Sequence, residues 1–130
     1  MPDGEAFSPR QREEILRALR LAEGESHLRF SVHVGALPAL SREHARRLHA
    51  ALPEPAVSVL VALDPGSRRL EVVTGSVARR YLDDRSCALA GLSMTTAFSA
   101  GDLVGGIVTG VQMLGEHARH PRTLHVDQPE

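Results

Sequence analysis

Residues 57–75 read VSVLVALDPGSRRLEVVTG, which is two apolar runs separated by a turn. Val57 to Leu63 is almost continuously apolar, a pattern typical of a strand that is covered on both faces. The four residues 64–67, Asp-Pro-Gly-Ser, have the composition of a tight turn. Leu70 to Thr74 is therefore predicted to return as the antiparallel partner, in a hairpin whose first strand is buried.

The residues before this hairpin predict another strand and a connecting helix. Apolar and polar residues alternate from Leu28 to Val34, which predicts a half-buried strand that ends at Gly35. Ser41 is the predicted N-cap of a helix that is ended by the prolines at 53 and 55. A helical connection usually joins parallel neighbours by a right-handed crossover, so we expect these two strands to lie parallel.

A further helix is predicted before the first strand. Ser8 precedes Pro9, and serine at the N-cap with proline in the first turn is a common helix start. Gln11 stands three residues after Ser8 and completes a capping box. Apolar residues follow at helical spacing, and Gly24 is the predicted stop of this helix.

Two helices are predicted after the hairpin, beyond a short helix or turn over residues 77–82. Asp83 or Asp84 is the predicted N-cap of the first, which runs to about Phe98 and is expected to be buried nearly all round. Asp102 is the predicted N-cap of the second, which extends to Leu114.

Together these elements predict a single α/β domain over residues 8–117. Its expected architecture is a three-layer sandwich, in which a central mixed β-sheet is flanked by helices on both faces. Residues 1–7 are a predicted N-terminal segment. Residues 118–130 are a predicted polar flexible tail, because they contain too few apolar side chains to offset the entropy of ordering.

The composition excludes several classes of function. The 130 residues carry 15 basic and 16 acidic groups, and only 3% are aromatic, so no nucleic-acid partner is expected. Cys87 is the one cysteine, which rules out an internal disulfide and a cysteine-based zinc site. The start of the chain lacks a signal-peptide pattern, and no apolar stretch reaches the ~20 residues that span a bilayer. A cytoplasmic protein without a membrane span is expected.

The order of elements from Leu28 to Leu114 resembles the TPM domain family, most closely an actinobacterial branch catalogued as a domain of unknown function. The resemblance covers about two thirds of the chain. It is carried by LRFSVHVG at 28–35, by LVALDPGSRRLEVVTG at 60–75, by LDD at 82–84 and by FSAGDLVGG at 98–106.

This resemblance implies the same sandwich and several possible activities. Some family members are described as acid phosphatases, several bind divalent cations through carboxylates, and others act in the assembly or repair of membrane complexes. The acidic positions that match are Asp83 or Asp84 and Asp102. The chain departs from the family pattern before the first helix, where Glu5 replaces a frequent aspartate, and after the hairpin, where the family's Gly-aromatic-Gly turn becomes Gly-Ser-Val.

Asp83, Asp84 and Asp102 are accordingly the candidate metal ligands, for Ca²⁺ or Mg²⁺, because hard cations need several oxygen ligands at once. The alternative is that each aspartate only caps its helix. His33, near the end of its strand, is a further candidate ligand, and the alternative is a solvated or packed histidine.

Arginines form the candidate contacts for an anion or a partner, since guanidinium groups bind carboxylate and phosphate in bidentate fashion. The densest groups are Arg79, Arg80 and Arg85 around the aspartate pair, and Arg42, Arg46 and Arg47 on the predicted second helix. The alternatives are surface solvation and, for the first group, neutralisation of the neighbouring aspartates.

Two functions follow. The first is a non-catalytic binding or assembly module that responds to divalent cations, with an unidentified protein partner and no assigned catalytic residue. The alternative is a metal-assisted acid phosphatase acting on phosphate monoesters, with Asp83 or Asp84 and Asp102 around the metal. Cys87 is not expected to be catalytic, because no base accompanies it. Gly106 and Gly110, four residues apart, predict a close contact of their helix with another helix or with the sheet.

Overall fold

The structure is a computed structural model that describes residues 7–120. Within them four helices and three strands follow one another in the predicted order. The helices are α1 (Pro9–Ser26), α2 (Ser41–Ala50), α3 (Asp84–Ser99) and α4 (Leu103–His117), and the strands are β1 (Arg29–Val34), β2 (Ser58–Asp64) and β3 (Arg69–Thr74). Two short 3₁₀ turns, Pro55–Val57 and Ala78–Arg80, precede β2 and follow β3.

The three strands form a mixed sheet in the order β1-β2-β3. β1 lies parallel to β2, with Arg29 opposite Ser58 and Val34 opposite Leu63. β3 is antiparallel to β2, with Asp64 opposite Arg69. The predicted hairpin and the predicted parallel pair are both confirmed, and residues 58–63 of the central strand are all buried.

The sheet separates two apolar cores. On one face α2 covers Leu60 and Ala62 of β2, with Leu37 and Ala45 beside them. On the other face α1, α3 and α4 enclose the alternate residues of β2 in a larger core, which includes Val59, Val61, Leu63, Phe30, Met94, Ile107, Val111 and Leu114. The predicted three-layer sandwich is therefore confirmed, with one helix on one face and three on the other.

Helix α1 begins as predicted and ends later. The side chain of Ser8 accepts from the Gln11 backbone N–H, and the Gln11 side chain accepts from Ser8, which forms the capping box. Gly24 lies inside the helix, so the predicted stop at this residue is wrong. The helix ends at Ser26, and the C-cap His27 has a left-handed φ of 60° and donates its backbone N–H to the carbonyl of Glu23.

The N-cap of α2 also differs from the prediction. Leu40 occupies the cap position without a side-chain hydrogen bond, and Ser41 is the first helical residue. The Ser41 hydroxyl instead donates to Oε2 of Glu71 on β3, over 2.6 Å. A tertiary hydrogen bond has thus replaced the local cap.

Charged side chains reach backbone groups of both outer strands. The backbone N–H of Phe30 on β1 donates to the carboxylate of Glu23, over 2.9 Å. On β3 the carbonyl of Val72 accepts from the guanidinium of Arg42, over 2.7 Å.

The α3–α4 hairpin depends on glycine, as predicted. A Cβ added at Gly106 would lie 2.7 Å from the ring of Phe98, and one at Gly110 would lie 2.4 Å from Met94. The expectation that α3 is buried nearly all round is wrong, because Leu89 and Leu92 are 51% and 63% exposed. The buried face of α3 is narrower than predicted, because only Ser86, Ala90 and Met94 are buried on this helix.

The first residues assigned to the predicted tail make ordered contacts. Ala118 is buried, the Arg119 guanidinium pairs with Glu25 over 3.0 Å, and the His120 ring stacks on Tyr81. The remainder of the predicted tail, and most of the predicted N-terminal segment, lie outside the described residues. Within residues 7–120 no helix is both long enough and apolar enough to cross a bilayer.

The loop after β1 is fastened to the β2–β3 turn through Asp64. One carboxylate oxygen of Asp64 accepts from the backbone N–H of Leu37, and the other accepts from the N–H groups of Gly66 and Ser67. These hydrogen bonds lower the pKa of Asp64 below its ordinary value of 3.8, with the bond from Leu37 as the largest cause. Folding therefore favours the ionised form of the Asp64 carboxyl group.

We expect this linkage to make Asp64 a source of acid sensitivity. Because its folded pKa is depressed, the stabilisation is fully present above pH 3.8 and is lost as the pH falls through the folded pKa. Urea unfolding between pH 5 and about pH 2 should lose stability less steeply in Asp64→Asn than in the wild type. Glu13→Gln, on the exposed surface of α1, is the control. Equal slopes for wild type and Asp64→Asn would contradict the linkage.

Candidate functional site

Two of the three predicted carboxylates, those of Asp83 and Asp102, are helix N-caps. Oδ1 of Asp83 accepts from the Ser86 backbone N–H over 2.8 Å, and Oδ1 of Asp102 accepts from the Gly105 N–H over 2.9 Å. The bonds from Ser86 are the main cause of a lowered Asp83 pKa. Asp84 is the first residue of α3 and lines a shallow depression beside Arg42 and Cys87.

Asp83 and Asp84 do not meet Asp102. They stand at the start of α3 and Asp102 at the start of α4, so the full 16-residue length of α3 separates them. At 1.5 Å per residue this separation is about 24 Å. Within residues 7–120, moreover, no three His, Cys, Asp or Glu side chains are close enough to hold a metal ion together. The structure therefore does not bring these three aspartates together, and their role as metal ligands stays a prediction.

A side-chain link that the sequence did not indicate joins the two helices beside Asp83. The Ser86 hydroxyl donates to Oδ1 of Asp83 over 2.7 Å and lies 2.6 Å from Nε2 of His117. With the hydroxyl hydrogen directed at Asp83, Nε2 of His117 is the donor to Ser86, in the tautomer that carries its hydrogen on Nε2. A serine nucleophile donates its hydroxyl hydrogen to a histidine that acts as the acceptor. Here the hydrogen bond runs from His117 to Ser86, and its role is to hold α3 against α4.

A cluster of arginines does converge elsewhere, around a cavity of about 430 Å³ between α2 and the end of β3. Arg42 and Arg46 contribute from α2, and Arg79 contributes from the Ala78–Arg80 turn. The lining contains no aspartate or glutamate; its other residues are His49, Pro55, Ala56, Val73, Thr74, Gly75 and Ser76. We call this cavity the arginine pocket.

Local structure positions each arginine. Arg42, Arg46 and His49 follow the spacing i, i+4, i+7, which places them along one side of a helix. Arg79 follows a turn in which its backbone N–H donates to the carbonyl of Gly75. Gly75 is packed so closely that a Cβ would lie 1.8 Å from the Pro55 carbonyl oxygen. The turn that carries Arg79 therefore requires glycine at this position.

The charge in the arginine pocket is only partly compensated. Arg42 pairs with Glu71 over 3.5 Å and also donates to the Val72 carbonyl. Among residues 7–120, neither Arg46 nor Arg79 takes part in an ion pair. Both are exposed, so their guanidinium groups are accessible to a ligand.

His49 is the one imidazole in this pocket, and it has a structural role. It is buried, and its Nε2 lies 2.9 Å from the carbonyl oxygen of Ser58. Because a carbonyl only accepts, Nε2 carries the hydrogen. This hydrogen bond holds α2 against the start of β2.

The other predicted site residues lie apart from the arginine pocket. Arg80 and Arg85 do not contribute to its lining. His33 is half-buried on β1, opposite Ala62. Burial, followed by the charge of Asp84, raises the pKa of the Cys87 thiol.

Comparison with known proteins places this architecture in a described family. A family model described as "Domain of unknown function (DUF5130)" matches residues 2–115. The chain is 29% identical over 97 residues to "Uncharacterized protein Rv2468c" of Mycobacterium tuberculosis (strain ATCC 25618 / H37Rv). This match covers 75% of the chain but 58% of the relative, so the chain spans less than two thirds of that protein's length. The predicted relation to an actinobacterial domain of unknown function is thus confirmed.

Solved structures show the same fold at low sequence identity. The NMR structure of the BA42 protein from Bizionia argentinensis superposes with a TM-score of 0.74 at 15% identity, covering 86% of this chain and 81% of that one. The N-terminal domain of the cg2496 protein from Corynebacterium glutamicum gives a TM-score of 0.66 at 16% identity, with 86% and 74% covered. These likenesses concern the fold alone.

Proposed function

We propose that this chain, which belongs to the DUF5130 family of domains of unknown function, is a non-catalytic binding or assembly module. It would recognise an anionic group on a protein partner through the arginine pocket. The observation that carries this proposal is the convergence of Arg42, Arg46 and Arg79 around one cavity whose lining contains no acidic side chain.

The chemistry of the arginine pocket favours binding of an oxyanion. Guanidinium groups present paired N–H donors that match carboxylate and phosphate oxygens. Arg46 and Arg79 come from different elements, so an anion between them would be held from two sides. Thr74 and Ser76 add hydroxyl groups to the same lining. A pocket of this kind supplies several donors and charge at one point, which a scattered set of surface arginines does not.

The same lining offers little for catalysis. His49 uses Nε2 to bind the Ser58 carbonyl and is buried. Among the described lining residues there is no carboxylate that could act as a general base or hold a metal ion. These features support binding rather than reaction as the role of the arginine pocket.

Titration with inorganic phosphate, followed by ¹H–¹⁵N NMR, tests the proposal. We expect phosphate to shift the amide signals of residues 74–79, and acetate to shift them less at equal concentration. The double variant Arg46→Ala/Arg79→Ala should bind phosphate at least about tenfold more weakly, because two charge-assisted contacts are lost.

Arg47→Ala is the matched control for this titration. Arg47 lies on the same helix but pairs with Glu43, and it does not line the arginine pocket. Its removal changes the net charge without touching the cavity, so phosphate affinity should stay within about twofold of the wild type. Arg47→Ala removes one charge and the double variant removes two, so a loss of binding free energy in Arg47→Ala that reaches half of the loss in the double variant would mean that phosphate senses only overall charge, and would overturn the proposal.

The resemblance to the TPM domain family supports the same choice of function. Assembly roles are among those that this resemblance implies. Its phosphatase alternative requires Asp83 or Asp84 to share a Ca²⁺ or Mg²⁺ ion with Asp102, although about 24 Å of helix stands between them. The binding module needs no such rearrangement. Membership of the TPM family, a response to cations and a cytoplasmic location stay predictions.

A further inference from the structure

A second concave site lies at the opposite end of the sheet from the arginine pocket. It is a cleft of about 460 Å³ between the β2–β3 turn and the corner where α3 meets α4. We call it the hairpin cleft. Its lining is Leu63, Asp64, Pro65, Arg68, Arg69, Leu70, Thr95, Phe98, Ser99, Gly101 and Leu103. The seven residues of β2 separate the two sites by roughly 20 Å, so ligands at one would not contact the other.

The wall of the hairpin cleft is apolar. Leu63 is buried, and Leu70, Phe98 and Leu103 are partly buried against the larger core. The side of the Phe98 ring that faces away from the cleft packs against the backbone of α4 at Gly106, and this contact holds the ring in place. A fixed aromatic ring among leucines provides a preformed surface for an aliphatic group.

The rim of the hairpin cleft carries an excess of positive charge. Arg69 donates to the Leu37 carbonyl over 2.7 Å, and both carboxylate oxygens of Asp64 accept backbone N–H bonds. Arg68 is exposed, and within residues 7–120 it takes part in no ion pair. The rim thus carries two arginines and one aspartate, and Arg68 is the arginine whose positive charge has no acidic partner there.

Arg68 is also held in an uncommon backbone conformation. Its φ of 60° lies in the left-handed region, which glycine adopts at lower cost than arginine. Such positions concentrate at functional sites. The same feature makes Arg68→Gly a clean variant, because it removes the guanidinium and suits the turn.

We propose that the hairpin cleft binds a medium-chain fatty acid as its carboxylate. The carboxylate would meet Arg68 at the rim, and the alkyl chain would lie against Leu70, Phe98 and Leu103. The apolar wall favours burial of the alkyl chain, and the unpaired charge of Arg68 favours the carboxylate. The volume of the hairpin cleft lies in the range of small-molecule sites.

Paired titrations with octanoate and 1-octanol test this inference, with ¹H–¹⁵N NMR as the readout. These two probes share an alkyl chain and differ in the charged head. Octanoate should shift the amides of residues 68–70 and 95–103 and bind at least fivefold more tightly than 1-octanol. In Arg68→Gly, octanoate affinity should fall at least fivefold and 1-octanol affinity should be unchanged, which removes the difference between them.

Two further variants locate the site. Thr95→Trp places a large side chain in the hairpin cleft from the exposed side of α3 and should abolish binding of both probes while leaving the far-ultraviolet circular dichroism unchanged. Arg46→Ala/Arg79→Ala should leave octanoate affinity unchanged, which separates this site from the arginine pocket. Absence of octanoate binding, equal affinity for both probes, or full octanoate affinity in Arg68→Gly would overturn the inference.

Discussion

Gly75→Ala is expected to destabilise the domain by about 3 kcal/mol, at the upper end of the range for overpacking. The added Cβ would lie 1.8 Å from the carbonyl oxygen of Pro55 and 2.5 Å from that of Ala56. Both obstructing atoms belong to the backbone, so no rotation of a side chain can relieve the overlap. The contact between β3 and the Pro55–Val57 turn must open instead.

Opening this contact would also break hydrogen bonds that hold the turn. The N–H of Gly75 donates to the Ser58 carbonyl, and the N–H of Val77 donates to the Ala56 carbonyl. Urea denaturation gives the loss of stability directly, and phosphate titration of the folded fraction should show weakened binding because Arg79 moves with the turn.

Gly24→Ala is the control for this substitution. Gly24 lies inside α1, and a Cβ there meets no atom within 4 Å. Alanine should therefore raise the free energy of unfolding by about 0.5–1 kcal/mol, through its higher helix propensity. If Gly75→Ala proved as stable as the wild type, the close approach of β3 to the Pro55–Val57 turn would be wrong.

Gly106→Leu is expected to have an effect of similar size, about 3 kcal/mol. A single Cβ at Gly106 would already lie 2.7 Å from the Phe98 ring and 3.0 Å from the Cβ of Ala97. The three further carbons of leucine have no space between α3 and α4, so the two helices must separate or Phe98 must leave its position. Thermal and urea unfolding should both report the loss.

Gly91→Ala is the matched control within the same helix pair. Gly91 lies on α3, where a Cβ would meet only Leu70 at 3.8 Å, an ordinary van der Waals distance. Alanine should be neutral or stabilising by up to about 1 kcal/mol. A Gly106→Leu protein as stable as Gly91→Ala would show that α3 and α4 do not pack through this glycine.

The architecture was predictable because its signals are local. The apolar run of β2, the turn at 64–67 and the alternation in β1 each specify one element, and the helical connection specifies the parallel pairing. The errors arose where tertiary contacts replaced a local rule. The helix stop that was predicted at Gly24 lies at His27, and the Ser41 hydroxyl donates to Glu71.

The functional positions were less predictable because they depend on distance in space. Asp83, Asp84 and Asp102 are helix starts, and the antiparallel packing of α3 and α4 places those starts at opposite ends. The arginine pocket combines α2 with a turn more than thirty residues later, which only the return of β3 brings together. The spacing of Arg42, Arg46 and His49 was the available signal, since it predicts a shared helix side.

The two hydrogen bonds from charged side chains to the outer strands hinder the addition of a strand from another molecule. Unpaired backbone groups at the edges of a sheet invite a strand from another molecule. Glu23 occupies an N–H of β1, and Arg42 occupies a carbonyl of β3, so a guest strand at either edge would first have to displace a charged side chain. Arg42 also lines the arginine pocket. Loss of this arginine would therefore leave one edge of the sheet open to aggregation and, under the proposed function, also weaken binding of the anion.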